Sequence, residues 1–163
     1  MKHRERLVSR TLLVVILALF SSACQASGSK GLDPGGPSGF AEEVLVDAIE
    51  QTHFSAVVRH VTTEREEHGA AATEQVFLHR VEVREVLRGP EVENLTYRLY
   101  AEPGETSATP SEWVIITLCE GEEGLEWPGT SAIFPATVEL VDLARKTAQD
   151  ADPDQQTFNQ CEW

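Results

Sequence analysis

No stretch of this sequence stays apolar for long enough to cross a bilayer. The longest such run, TLLVVILALF at residues 11–20, has ten residues. As a helix it rises about 15 Å, whereas a hydrocarbon core takes about 20 residues. Bases are scarce: 13 Lys and Arg stand against 27 Asp and Glu, a formal charge of −14. Nucleic-acid binding rests on cations that neutralise phosphates, so this composition speaks against a nucleic-acid partner. No glycine-rich phosphate loop and no HExxH pair occur. Ser38 lies in GPSG with no strand before it, so it is not a nucleophile elbow. No repeat at a solenoid or propeller period is present. The residues imply no cofactor and no catalytic group.

What the sequence does have begins at its start. Lys2, Arg4, Arg6 and Arg10 precede the apolar run, and Ser21, Ser22 and Ala23 follow it. A basic start, a short apolar core and a small-residue exit make a secretory signal peptide over residues 1–23. A buried amphipathic helix does not fit, because the run is apolar all round. Ser21-Ser22-Ala23-Cys24 resembles the lipobox of bacterial lipoproteins. The resemblance implies cleavage before Cys24 and a diacylglyceryl group on its sulfur, often with an acylated amine. It also implies a bacterial cell envelope location, anchored to the membrane by lipid. With Gln25 rather than aspartate after the cysteine, it implies the outer membrane where the cell has one, and the cell membrane where it does not. Ordinary secretory cleavage after Ala23 or Ala26 is the alternative.

The cysteine count of three is consistent with lipidation. An odd thiol is awkward in an oxidising compartment. With Cys24 acylated, Cys119 and Cys161 remain as one disulfide pair, and two unpaired thiols are the alternative. Loss of residues 1–23 takes the formal charge from −14 to −17, so the protein face repels anionic lipid and the acyl chains must hold the membrane. Residues 24–39, CQASGSKGLDPGGPSG, form a flexible tether. Its root-mean-square reach is roughly 20–24 Å, beyond a Debye length of about 8 Å.

The rest is enough for one domain, residues 40–146, with an acidic tail at 147–163. FAEEVLVDAIEQ, 40–51, reads as a short helix with Ser38 as N-cap and Glu42 and Glu43 in its first turn. From His53 the period becomes two, which predicts a strand to about Thr63. EREEHGAAATE, 64–74, is a polar connection. QVFLHRVEVREVLRG, 75–89, is the clearest strand, with Phe77, Val81, Val83 and Leu87 on one face and Arg80, Glu82, Arg84 and Arg88 outward. NLTYRLY, 94–100, is a third strand. EWVIITLCE, 112–120, is a central strand covered on both faces. A hairpin loop at Gly121–Gly124 follows, then a broken edge segment, 125–134, limited by Pro128 and Pro135. ATVELVDLARK, 136–146, fits either a strand or a helix. The expectation is a mainly β fold: a small antiparallel five-stranded barrel with one N-terminal helix.

Val81 to Gly89, VEVREVLRG, is similar to a V-x-[EK]-V-L-[KR]-G strand of uncharacterised bacterial lipoproteins. Those carry a five-stranded OB-like barrel akin to netrin-like and metalloproteinase-inhibitor domains. The similarity spans about residues 40–143. It implies a monomeric binding or interaction module with a partner in the envelope. The alternatives are a netrin-like protease inhibitor and a secreted hydrolase with an unrecognised site. A free cysteine amine reaches the metal in the metalloproteinase inhibitors, and a lipidated Cys24 on a tether could not do so.

Three further groups carry a bland reading beside a functional one. Asp150, Asp152 and Asp154 have the spacing of a calcium loop, but Gln155 replaces the turn glycine and Cys161 the bidentate Glu, so they read as a solvated tail. His53, His60, His68 and His79 lack metal-ligand spacing and read as surface histidines. Trp113 and Trp127 make either a ligand platform or part of the core.

Overall fold

The computed structural model describes residues 37–66, 74–107, 109–129 and 131–162. The signal peptide, Cys24 and most of the tether lie outside them, as do His68 and Trp163. The described residues form a mainly β fold with two helices. Among them no helix is long and apolar enough to cross a membrane.

The first helix, α1, spans Pro37–Glu50. A proline is at ease at the start of a helix, where its missing N–H has no partner to lose. Ser38 is therefore inside the helix rather than its N-cap, and Glu42 and Glu43 fall beyond the first turn. Leu45, Ala48 and Ile49 form the buried stripe. The chain turns out at Thr52, whose hydroxyl donates to the Ala48 carbonyl at 2.6 Å.

Strands β1 (Phe54–Glu66), β2 (Gln75–Arg88) and β3 (Asn94–Ala101) form an antiparallel meander. The first strand runs three residues past Thr63, to Glu66. Next come β4 (Val114–Gly121) and the short β5 (Gly124–Glu126) and β6 (Ile133–Pro135). The sheet order is β1-β2-β3-β5-β4, and β4 pairs back to β1, so five strands close into a ring. All pairs are antiparallel except one: β5 runs parallel to β3, with Tyr97 opposite Leu125 and Arg98 opposite Glu126. The expected edge segment is therefore no edge at its start, since β5 joins β3 to β4. β6 lies farther along the same side of β4, opposite Val114–Ile116.

Two cores explain why β1 and β4 are apolar on both faces. Phe54, Ala56, Val58, Val81, Tyr97, Val114, Ile116 and Leu118 fill the ring. Val57 and Ile115 point the other way, toward Leu45, Ala48, Ile49, Phe134, Val141 and Ala144. The second helix, α2 (Val138–Asp150), closes this outer core. Thr137 caps it by accepting from the Leu140 N–H at 3.3 Å. The ambiguous 136–146 segment is thus helical, and the helix continues past Lys146 to Asp150.

The even alternation expected along β2 fails at its end. Val58 pairs with Val83 and Val57 with Glu85, so Arg84 is left as a bulge. An extra residue reverses which side chains face the core. Val81 and Val83 face the ring interior before it, and Val86 does so after it. A second shift between Ser55 and Ala56 leaves Leu87 itself unpaired, and it packs under the helices, on the face opposite Val81. Arg88 does not point into open solvent as expected. Its guanidinium donates to the Ile49 and Glu50 carbonyls at 2.8 and 3.2 Å and to Gln155 Oε1 at 3.0 Å.

The C-terminal segment folds back over the end of α1. Cys119 and Cys161 are joined as a disulfide, their Cα atoms 5.5 Å apart. Phe158 packs on His53 with ring centroids 4.1 Å apart, and Arg88 lies over the Phe158 ring at 5.0 Å.

Candidate functional site

Two neighbouring features combine chemistry with enclosure. The first is a polar cluster inside one end of the ring. His60 on β1 meets Tyr97 on β3, with His60 Nε2 2.7 Å from the phenol oxygen. His79 on β2 stands between them and stacks on Tyr97 at 4.8 Å. Its Nδ1 is 3.0 Å from the Thr63 hydroxyl and its Nε2 2.9 Å from the Ser107 hydroxyl. A neutral imidazole has one donor and one acceptor nitrogen, and hydroxyls serve either. A register shift between His60 and Thr62 leaves Val61 as the extra residue, so His60 and Thr63 both reach His79 despite their odd spacing.

These are not surface histidines. His79 is 1% exposed. Burial, and then the neighbouring His60, pull its pKa down to about 4. Burial lowers His60 as well. Burial raises the Tyr97 phenol, which stays protonated. His53 behaves differently. Its Nδ1 accepts from the Glu120 N–H at 3.2 Å, and it stands beside the disulfide. The sulfurs of Cys119 and Cys161 are spent on each other, so His53 and that pair make no metal site in this covalent state.

The second feature is an open cleft of about 1160 Å³ along β3, β5 and the Gly121–Gly124 hairpin. Glu74, Glu120, Glu122, Glu123 and Glu126 line it, with Tyr100 and Trp127. The four others are exposed, but Glu126 is only 7% exposed. Its carboxylate lies across Gly121, where an added Cβ would collide with it. Tyr100 donates its hydroxyl to Glu126 Oε1 at 3.2 Å. Trp127 connects the two features, since it lines the cleft and stacks on Tyr97 at 6.0 Å.

The two tryptophans named from the sequence do not form one platform. Trp113 packs against the outer core and carries the Arg59 and Arg84 guanidinium groups over its ring, each at 5.1 Å. Trp127 belongs to the ring interior and the cleft. Asp152 turns inward on its own loop, accepting the Asp154 N–H at 2.9 Å. Sequence reasoning missed Glu126, Tyr100 and Gly121. No local signal marked them, because residues 125–134 read as a broken edge segment, where an exposed glutamate is ordinary. Compared with family models and with curated proteins, the chain matches none.

Proposed function

We propose that this chain is a lipid-anchored extracytoplasmic binding module. Cys24 is residue 1 of the mature protein and carries the acyl chains. Residues 25–36 hold the acidic domain away from the headgroups, and the ring presents a binding surface to a partner in the envelope. The Ser21-Ser22-Ala23-Cys24 junction supports the anchor. The strand order, with a parallel β3–β5 pair closing the ring, supports the OB-like resemblance.

The observation that carries the binding reading is the cleft, because concave sites with a few convergent polar groups and aromatic walls are where ligands are held. Its test is capture from native envelope with the lipidated full chain, followed by mass spectrometry. A partner retained by the intact protein, and lost when cleft residues are changed, supports the reading. Specific retention that ignores every cleft variant removes the cleft from it. Intact-mass analysis of the envelope-derived protein tests the anchor: a chain beginning at Cys24 with added acyl mass is expected. An unlipidated chain beginning at Ser27 rejects it.

A further inference from the structure

His53, Cys119 and Cys161 meet where the end of α1, the start of β1, the end of β4 and the C-terminal segment come together. One ligand atom from each lies within 4.8 Å of the other two. Donors on one tetrahedral zinc ion, at bonds of about 2.0–2.3 Å, stand roughly 3.5–3.8 Å apart. The disulfide withholds both sulfurs, because the ligand form is the thiolate. The imidazole is already set for a metal. Its Nδ1 accepts the Glu120 N–H, so the ring presents a lone pair, not a proton, toward the strand that carries Cys119. Phe158 packs on the ring and Arg88 lies over Phe158, which fixes its orientation. The reduced state is provided for as well. The Gln160 carbonyl is 3.6 Å from Cys119 Sγ and the Gln51 carbonyl 3.7 Å from Cys161 Sγ, so each freed thiol has an acceptor in place. The segment is also tied to α1 and its end without the bridge. The Asn159 N–H donates to Gln51 Oε1 at 3.2 Å and Gln160 Nε2 to Asp47 Oδ2 at 2.8 Å. Opening the bridge therefore leaves the three donors as neighbours.

We propose that reduction of the Cys119–Cys161 bridge turns this corner into a zinc site of two thiolates and the His53 imidazole, the metal replacing the disulfide as the clamp on the C-terminal segment. The inference goes beyond the binding reading above and does not depend on it. A dithiol reductant supplies two electrons and two protons: the S–S bond breaks, two S–H bonds form, and the dithiol leaves as its own disulfide. Cys161 is partly exposed while Cys119 is buried, so the reductant reaches the bridge from the Cys161 side. Zinc then displaces both thiol protons to solvent and takes two thiolates, the neutral imidazole and one water, a four-coordinate set. Calcium and magnesium prefer oxygen ligands and do not suit these donors.

The test uses the full chain carrying Cys24→Ala, in which Cys119 and Cys161 are the only thiols. It is handled without oxygen in a phosphine reductant, which does not compete for zinc as a dithiol would. Calorimetric titration should show one zinc per chain with about two protons released, read from buffers of different ionisation enthalpy. Zinc held by surface carboxylates releases none. Cobalt should give thiolate-to-metal charge-transfer absorption. Zinc should also restore the protease resistance of the C-terminal segment that reduction removes. The oxidised protein should show neither the proton release nor the absorption. Cys119→Ser and Cys161→Ser should each weaken zinc by more than the roughly tenfold to hundredfold that loss of an outer-shell partner costs. His53→Gln should weaken it at least about tenfold. It keeps the bridge, so it carries the test if a cysteine variant fails to fold. Zinc binding unchanged in all three variants, equal binding by the oxidised protein, or a reduced chain that takes up no zinc overturns the proposal.

Discussion

His79 stacks on Tyr97 with ring planes only 12° apart, and each imidazole nitrogen faces a hydroxyl. Burial and the neighbouring His60 favour the neutral ring, which donates to one hydroxyl and accepts from the other. In the folded state the His79 pKa is about 4, while an unfolded histidine keeps its ordinary value near 6.5. Between those values the unfolded chain binds more protons, so stability rises with pH across the window and falls as pH drops through it. The groups facing this ring are His60 and Thr63 from β1, Tyr97 from β3 and Ser107 from the following loop.

Denaturant unfolding at pH 7 and pH 4.5 checks this. The wild-type chain should lose on the order of 2–3 kcal/mol from this ring alone. His79→Gln should have a visibly flatter pH dependence. Equal slopes for the two proteins would show that other groups carry the acid sensitivity.

The Cys119–Cys161 bridge closes a separation of 42 residues. Chain entropy puts its contribution at about 4 kcal/mol as an upper figure. The segment it pins also bonds to α1 and its end: Gln155 Nε2 donates to the Glu50 carbonyl, and Gln160 Nε2 to Asp47. Reductant should lower the melting temperature and expose the C-terminal segment to protease before the ring. Non-reducing peptide mapping should recover one peptide joining residues 119 and 161. Free alkylation of both thiols in the native, unreduced protein would contradict the bridge.

Arg88 satisfies two carbonyls at the C-terminal end of α1, where unpaired carbonyls and the negative end of the helix dipole favour a cation. Arg88→Ala should cost about 2–3 kcal/mol, read from the urea midpoint, because it leaves those carbonyls and Gln155 unpaired. Arg88→Lys should recover little, since an ammonium cannot reproduce the fork. A loss below about 0.5 kcal/mol would mean that water replaces the guanidinium freely.

Gly89 has a φ of +103°, and a Cβ there would stand 2.6 Å from the Phe54 ring. Gly89→Ala therefore meets both a backbone penalty and a clash with the ring core. A destabilisation of roughly 2 kcal/mol or more is expected from thermal melts. A neutral substitution would show that Phe54 repacks without strain.

Sorting follows from Gln25 if the anchor is as proposed. Density-gradient fractionation of a diderm host should place the protein with the outer membrane, and Cys24→Ala should release it to soluble fractions. Exclusive recovery with the inner membrane would reject the Gln25 reading.

The sequence by itself determined what depends on neighbours along the chain. The period-two runs marked β1, β2 and β3, and the continuous apolar run VIITLC marked β4 as covered on both faces. With Cys24 read as acylated, the count of cysteines pointed to Cys119 and Cys161 as the remaining pair. Val138, Leu140, Val141 and Leu143 satisfied both periods, so the helix at α2 depended on the tertiary context of an outer core waiting beside α1. The bulges at Val61, Arg84 and Leu87 were invisible too, because nothing local marks an extra residue; only the paired strand reveals it. Those bulges turn Leu87 away from Val81 and bring Thr63 and His60 onto the same histidine. Glu126 and Gly121 lie five residues apart in the chain, and only the antiparallel pairing of β4 with β5 lays the carboxylate over the glycine. The parallel β3–β5 pair that closes the ring joins segments about 28 residues apart, too far for any local pattern to encode.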